Sequence, residues 1–148
     1  MEQKGDEMIN IVVILILVLE SVMDIKSRTI RWVHMVIFAI GGIAANCILK
    51  YQSIWSISVG VFIGIMVFLF GILSRGAIGS GDGVVFACLG IYLGGFQNIR
   101  LLFYSLIVAA ISGGIYVLIK RKSIKSQIPF VPCILVAYVL MFGMEVIA

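Results

Sequence analysis

Residues 75–90 read RGAIGSGDGVVFACLG. Four glycines, Gly76, Gly79, Gly81 and Gly83, surround a single acid, Asp82, and the stretch stands between two strongly apolar runs. The glycines mark a break between two membrane helices, and the carboxylate sits at the mouth of the second. The whole chain is built this way. It has 148 residues, of which 62% are hydrophobic and 12% charged, with a mean hydropathy of +1.20. Soluble domains are about half apolar and about a quarter charged. The composition therefore reads as an all-α, polytopic integral membrane protein, with residues 1–148 as one transmembrane domain.

A helix needs about 20 apolar residues to cross the hydrocarbon core. Six runs qualify, near residues 8–24, 31–49, 54–74, 83–97, 99–119 and 129–147, which predicts a bundle of about six helices. The fourth is short, and only Gln97 and Asn98 separate it from the fifth. At ~1.5 Å per residue it reaches only ~22 Å, so it must start below the membrane surface. The N-terminal MEQKGDE is acidic and no small-residue cleavage site follows, so the first run reads as a retained helix rather than a signal peptide. With six spans, loops one, three and five share a side. They carry Lys26, Arg28, Arg31, Arg75, Lys120, Arg121, Lys122 and Lys125, against Lys4, Lys50 and Arg100 opposite. The positive-inside rule puts the first set in the cytoplasm and both termini outside. These basic loops are expected to meet anionic lipid headgroups.

Acids at membrane depth are expensive, and each is a functional candidate. Beyond the polar N-terminus there are four: Glu20, Asp24, Asp82 and Glu145. Asp24 closes the first span and Asp82 opens the fourth, so the charge count puts both near the cytoplasmic face. Two carboxyls in contact share a proton, because like charge and desolvation oppose ionising both. One can then act as a base on water while the other polarises a carbonyl. Each also has a structural reading: Asp82 as a helix N-cap, Asp24 as a partner of Lys26 or Arg28. Glu20 lies one helical turn before Asp24 on the same face. It could tune Asp24, bind cationic substrate residues, or simply hydrogen-bond within the bundle. Glu145, at the outer end of the last span, reads as interfacial.

The single histidine, His34, reads as an interfacial or packing residue rather than a catalyst. Cys47, Cys88 and Cys133 read as buried small apolar residues, with no C-x-x-C among them, and no metal site is expected. Gly60 and Gly64 form G-x-x-x-G in the third span, a pattern that lets helices approach closely. Around Asp82, glycine tolerates positive φ and leaves room for another backbone, as an extended substrate would need. The only prolines, Pro129 and Pro132, imply an extended or kinked start to the last helix. They wall a cavity or simply begin the helix.

Three segments together resemble the type IV prepilin peptidases, a branch of the G-x-G-D membrane aspartyl proteases. DIKSRTIRWVH (24–34) is similar to the family's first aspartate and the basic stretch after it. GSGDGVVFACLGIYLGG (79–95) is similar to its G-x-G-D motif, and IPFVPCILVAY (128–138) to the start of its final helix. The resemblance implies that Asp24 and Asp82 are the catalytic pair, that Gly79 and Gly81 shape the turn, and that Pro129 and Pro132 shape the site. It implies an aspartic endopeptidase of the bacterial cytoplasmic membrane with a cytoplasm-facing site. Such an enzyme removes a short basic leader from pilin-like precursors. The chain departs from the family where many members have Pro-Asn (here IRWVHM, 30–35) and where many have Val-Lys-Leu after the motif aspartate (here GVV, 83–85). The lost lysine bears on site electrostatics and substrate choice. With no cytoplasmic region bearing paired cysteines, the chain resembles the compact peptidase-only enzymes of Tad-type pilus systems. Peptidase activity without methylation follows, with no cofactor and no S-adenosylmethionine. The expected partners are a pilin-like precursor and membrane lipids, not nucleic acid. Two other classes fit the same acids: a catalytically idle pilus or secretion assembly subunit, and a small proton- or cation-coupled transporter component.

Overall fold

A computed structural model describes residues 2–27, 32–74, 79–120 and 129–147. The loop residues Arg28, Arg31, Arg75, Arg121, Lys122 and Lys125 lie outside them, as do Gly76 and the side chains of Lys4, Lys120 and Glu145. The described chain is helical: α1 (Glu2–Ser27), α2 (Trp32–Leu49), α3 (Ile54–Leu73), α4 (Ser80–Lys120) and α5 (Val131–Ile147). Four helices are long and apolar enough to cross a membrane, at Glu7–Lys26, Trp32–Leu49, Ile54–Leu73 and Ser80–Ile119, and Val131–Met144 is a shorter apolar helix. The first helix begins at Glu2, so the N-terminal polar residues extend α1 rather than preceding it.

Among the described residues, five helices stand where six were expected. The fourth and fifth spans are one helical element, α4, and its break falls at Gly94 (φ 71°, ψ −179°) rather than at Gln97–Asn98. The break reverses the chain. A straight helix would put residues 86 and 98 ~18 Å apart, yet the Asn98 amide donates to the Phe86 carbonyl at 3.0 Å and to the Gly60 carbonyl at 2.9 Å. Residues 80–93 and 95–120 are therefore two arms folded against each other. Backbone groups freed inside a membrane must find partners. Here Gln52 Nε2 donates to the Leu93 carbonyl at 3.3 Å, and the Gly95 N–H donates to Ser56 Oγ at 3.3 Å. Both partners come from the start of α3 and the residues before it.

The first arm of α4 is the centre of the bundle. α3 runs antiparallel along it, and glycines remove the side chains that would hold the two apart. A Cβ on Gly60 would stand 2.5 Å from the Gly90 carbonyl oxygen, and Gly64 and Gly83 abut Ala87 and Phe68 in the same way. α2 packs on the same arm, where Tyr92 Oη donates to the Phe38 carbonyl at 2.7 Å and the Cys88 thiol to the Met35 carbonyl at 3.4 Å. α5 packs on both α4 and α1, whereas α1 and α4 make little direct contact. The core is formed by Val13 and Leu17 of α1, Val85, Phe86 and Leu89 of α4, and Ile134, Ala137 and Tyr138 of α5. Side chains such as Leu15, Val33, Phe62 and Ile107 are exposed on the outside, as expected of a lipid-facing surface. Cys88 and Cys133 are buried, but Cys47 is exposed. α2 packs on one neighbour chiefly, so its outer face, with Cys47 on it, remains uncovered.

Tyr138 Oη donates to Asn10 Oδ1 at 2.7 Å near one end of the bundle, and the first residue of α5 meets Asp24 at the other. The end of α1 and the starts of α2, α4 and α5 thus gather at one end.

Candidate active site

Both aspartates stand at that end. Asp24 lies in the last turn of α1, half-buried, and its Oδ2 accepts the backbone N–H of Val131 at 3.2 Å. The N–H groups of a helix's first turn have no intrahelical partner, so Asp24 satisfies one belonging to α5. Asp82 lies in the first turn of α4, 6% exposed, and its N–H donates to the Gly79 carbonyl at 3.1 Å. The two carboxyl groups, carried by different helices, are near enough to interact electrostatically.

Gly79 stands against the second carboxyl: a Cβ there would lie 2.8 Å from Asp82 Oδ2. Gly81 is already helical, in the first turn of α4. Among the described glycines positive φ occurs at Gly94 and not at Gly79 or Gly81, so Gly79 gives room through its missing side chain rather than through an unusual backbone. Pro129 precedes α5, and its carbonyl faces the Cys133 thiol at 3.8 Å. Pro132 is the second residue of α5, where the missing N–H removes no helical bond. Between them, the Phe130 ring packs on Phe86 with centroids 6.4 Å apart. This ties the start of α5 to the arm that carries Asp82.

Glu20 is fully buried one turn below Asp24. Its Oε1 pairs with Nδ1 of His34 at 3.1 Å; its Oε2 has no partner. Glu20 also interacts electrostatically with Asp24. The sequence reading did not join His34 to Glu20. The available signal was chemical: a buried acid needs a partner, and the one histidine opens the very next span. Among the described residues, no three His, Cys, Asp or Glu side chains are grouped to hold a metal ion.

The family model described as the type IV leader peptidase family matches residues 11–118, which contain Glu20, Asp24, His34, Gly79 and Asp82. The chain belongs to the type IV leader peptidase family. The match spans most of the chain and ends before the segment containing Pro129 and Pro132. Comparison with curated proteins gives no match, nor does comparison with solved structures. Membership in the type IV leader peptidase family makes this chain a leader-peptidase-type protein, and in general terms implies a pilin-like precursor as substrate.

Proposed function

We propose that this protein is a membrane aspartic endopeptidase. It cuts the short basic leader from a pilin-like precursor at the cytoplasmic membrane face, with Asp24 and Asp82 as its catalytic pair and without methylating the product. The observation that supports this is that two carboxyls, 58 positions apart in sequence, stand near enough to interact electrostatically at one end of an apolar bundle in a chain of this family.

Hydrolysis needs an activated water and a polarised carbonyl. A pair of carboxyls sharing one proton supplies both. The ionised member takes a proton from water as it attacks the scissile carbonyl carbon. The protonated member donates a hydrogen bond to the carbonyl oxygen. Collapse of the tetrahedral species breaks the C–N bond and returns a proton to the leaving amine. Gly79 places no side chain against Asp82 Oδ2, where a Cβ would stand 2.8 Å away, and this is the side from which an extended substrate backbone would approach. The precursor's apolar helix stays in the bilayer, and its basic leader approaches the carboxyl pair.

The Asp24–Val131 bond favours a second reading, in which the aspartates serve as helix caps in a catalytically idle assembly subunit. One experiment separates the two. The protein is co-expressed with a pilin-like precursor, and processing is followed by mass. Asn keeps a carbonyl acceptor and caps helices as well as Asp. Asp24→Asn and Asp82→Asn should therefore each abolish cleavage while leaving the folded protein in the membrane. Normal processing in both variants would refute the peptidase reading.

A further inference from the structure

The two aspartates ride on helices that scarcely touch. α1 and α4 make little direct contact, so something else must set the distance between Asp24 and Asp82. α5 is one such link: it packs on both helices, and its first N–H holds Asp24. α2 is a second link. This helix is bound to the Asp82 arm through Met35 and Phe38, whose carbonyls accept from Cys88 and Tyr92. One residue before Met35, His34 reaches the other way and bonds Glu20, one turn from Asp24.

We infer that Glu20 and His34 are positioning residues, a brace through which α2 fixes where Asp24 stands relative to Asp82. This rests on the aspartate-pair reading proposed above. A polar contact to a buried acid is a poor means of stabilising a fold, since desolvation offsets most of its gain, and an apolar pair of the same shape is often as good. Glu20 is moreover fully buried with one oxygen unpartnered. What the pair supplies is direction: a bond of defined length between the catalytic end of α1 and the start of α2. Apolar contact cannot give this, because it is non-directional. Glu20 and His34 touch neither the substrate nor the reacting atoms; they act through the helix that carries Asp24.

The test uses purified full-length protein and a pilin-like precursor. The background carries Cys47→Ala, Cys88→Ser and Cys133→Ala, the serine keeping a donor to Met35. Adding Glu20→Cys with His34→Cys should lower kcat about ten- to a hundredfold, the scale of a misplaced catalytic group. KM should stay within about twofold, because substrate binding is not what the brace controls. Joining the two thiols with a short bifunctional methanethiosulfonate should restore kcat. An unlinked variant at the background rate would overturn the brace. So would a linked variant that remains slow, which would mean that the bridge has to open for substrate. If the cysteine pair does not fold, His34→Gln, which can still donate to Glu20, is compared with His34→Ala. The glutamine variant should be the faster; equal rates overturn the proposal. Normal cleavage by both Asp24→Asn and Asp82→Asn would overturn the aspartate-pair reading and the brace together. Inactive aspartate variants beside a fully active unlinked cysteine pair would overturn the brace alone.

Discussion

At the scale of single residues, the site is defined by what Gly79 lacks. A methyl group there would meet Asp82 Oδ2 at 2.8 Å, and the carboxyl, not the backbone, would have to give way. Gly79 is exposed, and its φ lies outside the left-handed region, so alanine costs the fold little. Gly79→Ala should therefore leave thermal stability in detergent close to wild type while kcat for precursor cleavage falls about tenfold or more, as expected when a catalytic group is displaced. A variant with unchanged kcat would show that Asp82 does not need that space. A different residue reports on pH. Tyr51, between α2 and α3, has a buried hydroxyl without a partner, and burial, helped by the neighbouring Tyr92, pushes its pKa up to about 12. Below the ordinary tyrosine value of about 10, folded and unfolded chains both keep the proton and Tyr51 contributes no pH dependence. Above it the unfolded chain releases its proton first and so binds fewer, and stability falls as pH rises towards the folded value. Unfolding midpoints measured from pH 9 to about pH 12 should fall more steeply for wild type than for Tyr51→Phe. Parallel curves would remove Tyr51 as the cause.

At the scale of elements, the break in α4 decides how the spans pair. The short apolar run and its glycines were readable in the sequence, and so was the need for two spans there. The position of the break was not. Gln97 and Asn98 are the polar residues, and polarity marks them as the turn. In the structure Asn98 instead lies inside the second arm and bonds back to Phe86 and Gly60. The turn is made at Gly94, where Gln52 and Ser56 supply the partners for the freed backbone. Those partners lie about forty residues away, beyond the reach of local pattern. The φ of 71° with extended ψ at Gly94 belongs to a region that is essentially glycine's alone. An added Cβ would also collide with Ser56 and Gln52. Gly94→Ala should destabilise the protein by about 2 kcal/mol or more, read as a lowered unfolding midpoint and a loss of folded protein in the membrane. Gly114→Ala in the second arm is the control. Nothing lies within 4 Å of a Cβ there, and replacing a helical glycine should be neutral or mildly stabilising. Equal losses in the two would rule out the Gly94 turn as the cause.

At the scale of the molecule, Asp24 closes α1 and Asp82 opens α4 at one end of the bundle. That was legible because charge is asymmetric along the chain, with basic loops marking one side and Asp24 and Asp82 each adjoining one of them. The contacts that hold the aspartates were not legible. Asp24 bonds a backbone group 107 positions away, and Glu20 bonds a histidine on another helix; neither leaves a periodic or local trace. The structure adds a geometric constraint to the charge argument. α1 and α5 run antiparallel, with Asn10 and Tyr138 meeting far from the Asp24–Val131 bond. The start of α1 and the connection between α2 and α3 must then lie on the membrane side opposite the aspartates. The start of α5 lies on the same side as them. Single cysteines placed at Glu7, Lys50 and Ser123 in a cysteine-free background test this with a membrane-impermeant thiol reagent on intact cells. Glu7→Cys and Lys50→Cys should label from outside, and Ser123→Cys only after the membrane is opened, because positively charged loops are retained in the cytoplasm. The reverse pattern would put the aspartate pair outside, where a leader still in the cytoplasm could not reach it, and the proposed cleavage would lose its substrate. Labelling of all three from one side would instead break the helix order itself, because the reversal at Gly94 and the antiparallel α1–α5 pair allow no such arrangement.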